Sequence, residues 1–312
     1  MFILFGSVYA SVDDFRFINP FWNGYSRLNS LLSPSTIQDL AGLEETLNPE
    51  GSVLFIIGPS KNFTNEEISG VKWFLEGGGV LLVADDFGSA NGLLKGLNMS
   101  TRFSDSLMLD TLYRLENSKF CRIVTFNSSP VTLNVTALTF NYPTVLANLD
   151  DVTVYAYSSP FSYLDVDLNG SPDEGEPAGP FPVIIGIERG EGGLVVMSDS
   201  SVFINSMLDK DDNGVLLLNL VGDRDVYIDI SHWEPGLLTQ FKLFLNQVYS
   251  FTSALEVKYT ILALVSIAIF RVGWHRGLVE VDDELEETLR AHPGWSRETL
   301  SKLKDLRDQE DN

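Results

Sequence analysis

The sequence predicts an α/β fold: a doubly wound, mostly parallel sheet with a β-rich insertion, followed by a C-terminal transmembrane helix. Three observations predict it. Residues 53–57 (VLFII) and 80–84 (VLLVA) are continuous apolar runs of strand length, the pattern of strands buried on both faces. Between them, Thr64 and Glu67 form a capping box, and Ile68, Val71, Phe74 and Leu75 follow at helical spacing. A strand, a helix and a second strand of this kind make a parallel pair with a crossover. Residues 259–270 (YTILALVSIAIF) carry no charge and lie between Lys258 and Arg271.

The elements follow in order. Residues 1–10 (MFILFGSVYA) are apolar but short and lack a basic leader, so 1–14 reads as the remnant of a signal or anchor. Residues 19–25 are turn-rich and aromatic; Ser26 is expected to cap a helix through Leu32, and 35–47 reads as another helix. Gly77-Gly78-Gly79 stops the crossover helix. Asp85-Asp86 follow the second strand, where ligand sites form in α/β sheets, although Asp there also caps the next helix, 89–97. The runs 121–126, 131–135 and 152–157 alternate like strands, and 183–188 and 194–198 make a hairpin. Asp209 to Gly214 resembles half a cation loop, but a cap on the helix 215–221 accounts for it. Residues 226–230 are a further strand.

Residues 165–176 match the calcium-loop template D-x-[DN]-x-[DN]-G-x5-E at every specified position. Asp165, Asp167 and Asn169 would supply side-chain oxygens and Ser171 its carbonyl. Asp173 would hold a bridging water, and Glu176 would close the site. Pro160 before the loop and Pro177, Gly179, Pro180 and Pro182 after it exclude flanking helices. The expectation is a lone loop between strands stapled by one Ca2+; the competing reading is an acidic surface turn.

The chain has 312 residues and a formal net charge of −22. Such a surface repels nucleic acid, which is held through Lys and Arg on phosphates. With Cys121 as the single cysteine, no intramolecular disulfide and no cysteine zinc cluster exist. Lys258 and Arg271 can snorkel, and Tyr259 and Trp274 suit membrane interfaces, so residues 255–275 are read as crossing a bilayer. Arg271, His275 and Arg276 follow the segment, which places the tail in the cytoplasm and the large domain outside. A single pass results, or two if the N-terminus is truncated. Sequons at Asn62, Asn98, Asn127, Asn134 and Asn169 accord with an external domain. The tail, 276–312, is acidic, with two short helices broken at His292-Pro293-Gly294. Residues 15–235 form the α/β domain and 236–254 an amphipathic connecting helix.

Catalytic sets are sparse. His232 is the external histidine of three, beside Asp229 and Ser231, and the expected role is structural; the rival pairs it with Asp229 in a hydrolase. The carboxylates of Asp85, Asp86 and Asp199 offer another rival set. There is no G-x-S-x-G elbow, dinucleotide fingerprint or phosphate loop. Cys121 opens an expected strand, which suits an inert thiol.

Several segments together resemble a family: Asn19 to Ser26, Gly77 to Val83, Ser159 to Asp165, Gly179 to Pro182, Ser198 to Asn205 and Asp229 to His232. They resemble the archaeal membrane-anchored proteins with a domain of unknown function, group 4350, over about residues 17–235. The resemblance implies a flavodoxin/amidotransferase-like fold and protein partners in membrane transport or MoxR-type ATPase systems. Asp85-Asp86 stand where an amidotransferase places its cysteine nucleophile, so the resemblance implies a repurposed fold. The reading is a membrane-anchored extracytoplasmic binding or scaffold module without catalytic residues, holding Ca2+ in its loop.

Overall fold

A computed structural model describes residues 13–86, 88–189, 192–253 and 255–310. Of the expected anchor remnant at 1–14, residues 1–12 lie outside them. The chain divides into two compact units, Met1–Gln240 and Phe241–Asn312.

The first unit begins with α1 (Ser26–Leu32), β1 (Ser35–Ile37), α2 (Leu43–Thr46), β2 (Ser52–Ile57), α3 (Asn65–Glu76), β3 (Val80–Ala84) and α4 (Asn91–Gly96). Short strands of an insertion follow: β4 (Arg102–Phe103), β5 (Leu107–Asp110), β6 (Arg122–Ile123), β7 (Thr125–Phe126), β8 (Leu138–Thr139) and β9 (Leu146–Ala147). The unit continues with β10 (Thr153–Tyr157), β11 (Ser162–Asp165), β12 (Pro182–Arg189), β13 (Gly192–Met197), α5 (Asn213–Val221) and β14 (Asp225–Asp229).

Eight strands form the central sheet in the order β1-β14-β2-β3-β13-β12-β10-β7. The first five are parallel, and β12, β10 and β7 add an antiparallel edge. All six residues of β2 are buried, and strand alternation divides them between two cores. Val53, Phe55 and Ile57 pack with α1 and α5. Leu54 and Ile56 face the opposite way, against Val71, Phe74 and Leu75 of α3 and Leu93 and Leu94 of α4. Helices therefore cover both faces of the sheet.

The capping box at α3 is complete: the Thr64 hydroxyl accepts from Glu67 N–H, and the Glu67 carboxylate accepts from Thr64 N–H at 2.8 Å. Three expectations are corrected. The helix expected over 35–47 is instead β1 and the short α2, because Ser35, Thr36 and Ile37 pair in register with Tyr227, Ile228 and Asp229; this distant pairing overrides local propensity. Residues 131–135 turn rather than extend, since the Thr132 hydroxyl donates to Asn127 O at 2.7 Å and accepts from Ser129 N–H, a local alternative to a ladder. Residues 121–126 split into β6 and β7, which pair with different partners.

Asp212 makes no side-chain cap on α5. Its carboxylate instead accepts from Thr136 N–H and Oγ1–H, both at 2.7 Å, and Asp211 takes a bidentate pair from Arg122 and a hydroxyl from Thr139. The acidic run thus latches the insertion to the start of α5.

In the second unit and its approach lie α6 (Leu237–Ser253), α7 (Leu255–Ala291) and α8 (Arg297–Glu310). Within α7, Val257–Trp274 is long and apolar enough to cross a membrane, and its side chains are not buried against protein. The short helix expected at 282–289 is the continuation of α7. The break at Pro293-Gly294 holds, and Glu284 faces Lys304 and Arg307 across it.

Candidate functional site

The parallel strands β2, β3, β13 and β14 end along one edge of the sheet. Ligand sites in α/β sheets form outside such carboxyl ends. Here Gly58-Pro59-Ser60, Asp85-Asp86 and Ser200-Ser201 line a crevice of about 480 Å³. Asn141 and Tyr142 of the insertion close one side, and Asp14, Phe15, Trp22 and Asn23 close another.

The turn-rich segment before α1 is held by a polar knot. Asn205 donates to Phe21 O at 2.7 Å and Asn19 O at 3.1 Å, and its Oδ1 accepts from Arg27 N–H. At Gly24 a Cβ would lie 2.0 Å from Asn19 O, so only glycine lets the turn close. Tyr25, Phe15, Phe17 and Trp233 pack together beneath, with ring centroids about 5–6 Å apart. Trp233 anchors this cluster to the sheet through Nε1–H to Ile57 O at 2.7 Å. Trp22 is left 65% exposed at the crevice mouth.

The three edge carboxylates have different duties. Asp85 accepts from Asp86 N–H at 2.8 Å and Ala90 N–H at 2.7 Å, so it organises the turn into α4. Asp86 reaches across the edge to β13's loop, accepting from Ser200 N–H at 2.6 Å and Ser200 Oγ–H at 2.7 Å. Asp199 is fully buried and accepts from Asn141 N–H at 2.5 Å and Ser201 N–H at 2.7 Å.

Burial pushes the Asp86 carboxyl up to about 7, against the lowering effect of its Ser200 hydrogen bonds, with the Asp85 charge adding a smaller upward push. Asp199 is raised well above the ordinary range, first by burial and then by the Asp86 charge. Tyr25, whose hydroxyl donates to Ser200 O, is raised by burial and by Asp86, Asp199 and Asp14. Two carboxyls of raised pKa therefore share one low-dielectric neighbourhood.

His232 lies outside the crevice lining and is 3% exposed. Its Nδ1 meets Asp229 Oδ2 at 2.7 Å, while Nε2 points to Glu67 at 3.6 Å and the ring stacks on Phe63. Ser231 Oγ–H donates to Asp229 Oδ1 at 2.6 Å, and the same hydroxyl lies 3.0 Å from His232 Nδ1. The imidazole thus joins the end of β14 to the start of α3. Cys121 is buried, its thiol directed at Met108 O and Ser118 O, and burial pushes its pKa up.

The loop 165–176 leaves β11 without helices. Asp165, Asp167 and Glu176 place oxygens within 4.8 Å of one another. Asp165 also accepts from Gly170 N–H, and Glu176 from Val166 N–H at 2.8 Å and Asp173 N–H at 3.1 Å. Gly170 sits at φ +78°, where the turn requires it. Of the other expected ligands, Asn169 Oδ1 accepts from Ser171 N–H at 2.7 Å, and Asp173 is hydrogen-bonded to the Asn169 amide. Three carboxylate oxygens thus lie close together, and Asn169 would have to turn its oxygen inward to join them.

The crevice walls formed by Trp22, Asn141, Tyr142 and Ser200 were not picked out as site residues by sequence reasoning. The aromatic turn 19–25 was the one visible signal; nothing local ties Asn141 to the distant Asp199.

Among solved structures, the chain is similar to the mmIFT52 N-terminal domain at 20% identity and a TM-score of 0.48, covering 63% of this chain and 88% of that one. It is similar to a ThuA-like protein from Bacteroides uniformis at 16% identity and a TM-score of 0.39, covering 59% and 73%. A β-galactosidase from Bacillus circulans sp. alkalophilus shares 14% identity at a TM-score of 0.35, over 54% of this chain and 22% of the enzyme. No curated protein matches the chain. Residues 19–221 match the family described as Domain of unknown function (DUF4350), and the chain belongs to that family.

Proposed function

We propose that this chain is a membrane-anchored extracytoplasmic module that acts by binding, as a component of a membrane transport or ATPase-associated complex. The observation that carries the reading is the crevice at the carboxyl edge of β2, β3 and β13, whose lining among the described residues has carboxylates and hydroxyls but no imidazole. His232 is engaged by Asp229 and Phe63 away from it. An amidotransferase-like ancestry suits this reading, since Asp85 follows β3 where that chemistry needs a thiolate and the lone thiol of Cys121 is buried elsewhere.

The apolar part of α7 anchors the module in the bilayer as a single pass, with the acidic tail on the cytoplasmic side. All five sequon asparagines are exposed, in keeping with an external domain. Ca2+ held by Asp165, Asp167 and Glu176 staples the loop after β11. The rival reading is a hydrolase that uses His232 with Asp229, or the sheet-edge carboxylates.

The deciding experiment incubates the full chain, in detergent micelles, with a nitrophenyl ester, an anilide and glutamine. No turnover above buffer is expected. Hydrolysis that disappears in His232→Ala or Asp86→Asn would overturn the binding reading in favour of the rival.

A further inference from the structure

We propose that the crevice takes a small organic cation, a primary ammonium or guanidinium compound, held between the Asp86 carboxylate and the Trp22 ring. This rests on the binding reading above and names its ligand class. The ionisable side chains lining the crevice, among the described residues, are Asp14, Asp85 and Asp86, with no Lys, Arg or His. Asp199 lies just behind, fully buried, its carboxyl pushed up by burial and by the Asp86 charge. Of the nearby bases, Arg16 lies 5.6 Å over Trp233, and Lys119 sits 4.9 Å over the Tyr142 ring, so that wall already carries a cation. A phosphate, carboxylate or nucleotide entering this space meets carboxylates of its own sign, whereas a cation is attracted.

The walls discriminate further. Phe15 and Trp22 put aromatic surface beside the carboxylates, and aromatic faces attract ammonium and guanidinium groups, as the Tyr142 ring already does with Lys119. Tyr142 holds φ +59°, a left-handed conformation that a bulky residue rarely adopts, in presenting its ring to the crevice. A bare metal ion is the poorer occupant. Groups of three or more His, Cys, Asp or Glu close enough to hold one occur, among the described residues, only at Asp165, Asp167 and Glu176. The edge carboxylates are spaced around a volume of about 480 Å³, which suits a molecule of several heavy atoms.

The raised Asp86 carboxyl adds a signature. The groups acting on it are Asp85 and the Ser200 donors, it acts in turn on Asp199 and Tyr25, and none of these brings a positive charge. A bound cation favours the ionised acid, so binding near neutral pH should release a proton.

The test is calorimetric titration of the full chain in detergent micelles with putrescine, arginine and choline, beside glutamate and glucose as anionic and neutral probes. Runs at about pH 6.5 in two buffers of different ionisation enthalpy count the released proton. The expected result is saturable cation binding with proton release, weakened about tenfold in Asp86→Asn and about threefold in Trp22→Ala. Trp22 is surface-exposed, so its variant keeps the fold if Asp86→Asn does not. Cation binding that neither variant changes places the ligand elsewhere and overturns the assignment. Glucose or glutamate binding, sensitive to Trp22→Ala, with silent cations would sink the charge class but keep the binding crevice. Silence from every probe removes both.

Discussion

Asp86→Asn should make the protein more stable at alkaline pH and flatten its pH dependence. Asp86 sits at about 7 in the fold, chiefly because burial disfavours its charge, against an ordinary value of about 4. The folded state therefore binds the proton more tightly than the unfolded chain between about pH 4 and pH 7, and stability falls as pH rises through that window. A displacement of about three units at about 1.4 kcal/mol each puts the loss near 4 kcal/mol by pH 8. Asparagine mimics the protonated acid: its oxygen accepts from Ser200 N–H while its amide donates to the Ser200 hydroxyl, at a cost of about 1 kcal/mol in hydrogen-bond quality. The variant should thus gain about 3 kcal/mol at pH 8 but only about 0.5 kcal/mol at pH 5, where the parent has already lost about 1.5 kcal/mol, and should fall about 1 kcal/mol behind only below about pH 3. For a domain of this size each kcal/mol moves the melting temperature by about 2–4 °C. Thermal unfolding followed by near-ultraviolet circular dichroism, which reads the aromatic cluster around Trp233, measures both ends. Asp199, raised in the same direction, leaves a residual slope of the same sign. If the variant and parent melting curves stay parallel from pH 5 to pH 8, Asp86 is not the group that titrates and the crevice is better solvated than its burial implies.

Two further predictions test the frame around the crevice. Ca2+ at about 10 mM should stabilise the domain by about 1.5–3 kcal/mol if the loop binds in the range typical of external sites, and Asp165→Ala/Glu176→Ala should abolish that gain; a melting temperature indifferent to Ca2+ in the parent would reduce the loop to an acidic turn. Gly70→Ala should destabilise by about 1–3 kcal/mol despite alanine's better helix propensity, because its Cβ would lie 2.0 Å from Leu40 O. Gly92→Ala in α4, with open space around it, should instead be neutral or stabilising in the same chemical denaturation assay.

Legibility followed the range of the forces involved. β2, α3 and β3 were readable because their signals are local: two apolar runs, a capping box and a glycine stop. The β12–β13 hairpin was readable for the same reason. β1 was not, since Ser35, Thr36 and Ile37 become a strand only by meeting β14, which enters the chain about 190 residues later. At the site, Asp85-Asp86 after a strand end was legible as a place of interest. Their division of labour was not, because Ser200 and Ala90, which separate the two roles, come from different parts of the chain. Of the six expected ligands in the acidic loop, folding brings Asp165, Asp167 and Glu176 together, while Asn169 bonds to Ser171 and Asp173.

The chain's own acids argue that the crevice is more than a surface feature. Asp211 and Asp212 serve structure, and each is held below the ordinary carboxylate range by its partners: Arg122 for Asp211, the Thr136 N–H and hydroxyl for Asp212. An acid lowered in this way stabilises the fold once ionised. Asp86 and Asp199 are shifted the opposite way, so at neutral pH their burial opposes folding. A side chain serving structure alone could relieve that cost as asparagine, which accepts from Ser200 N–H and donates to the Ser200 hydroxyl. Carboxyls retained in a desolvated cleft at the carboxyl edge of a parallel sheet are the arrangement expected where a ligand supplies the missing charge. On that argument, the gain in stability of Asp86→Asn and its loss of cation binding are two readings of one electrostatic fact, and they should appear in the same variant.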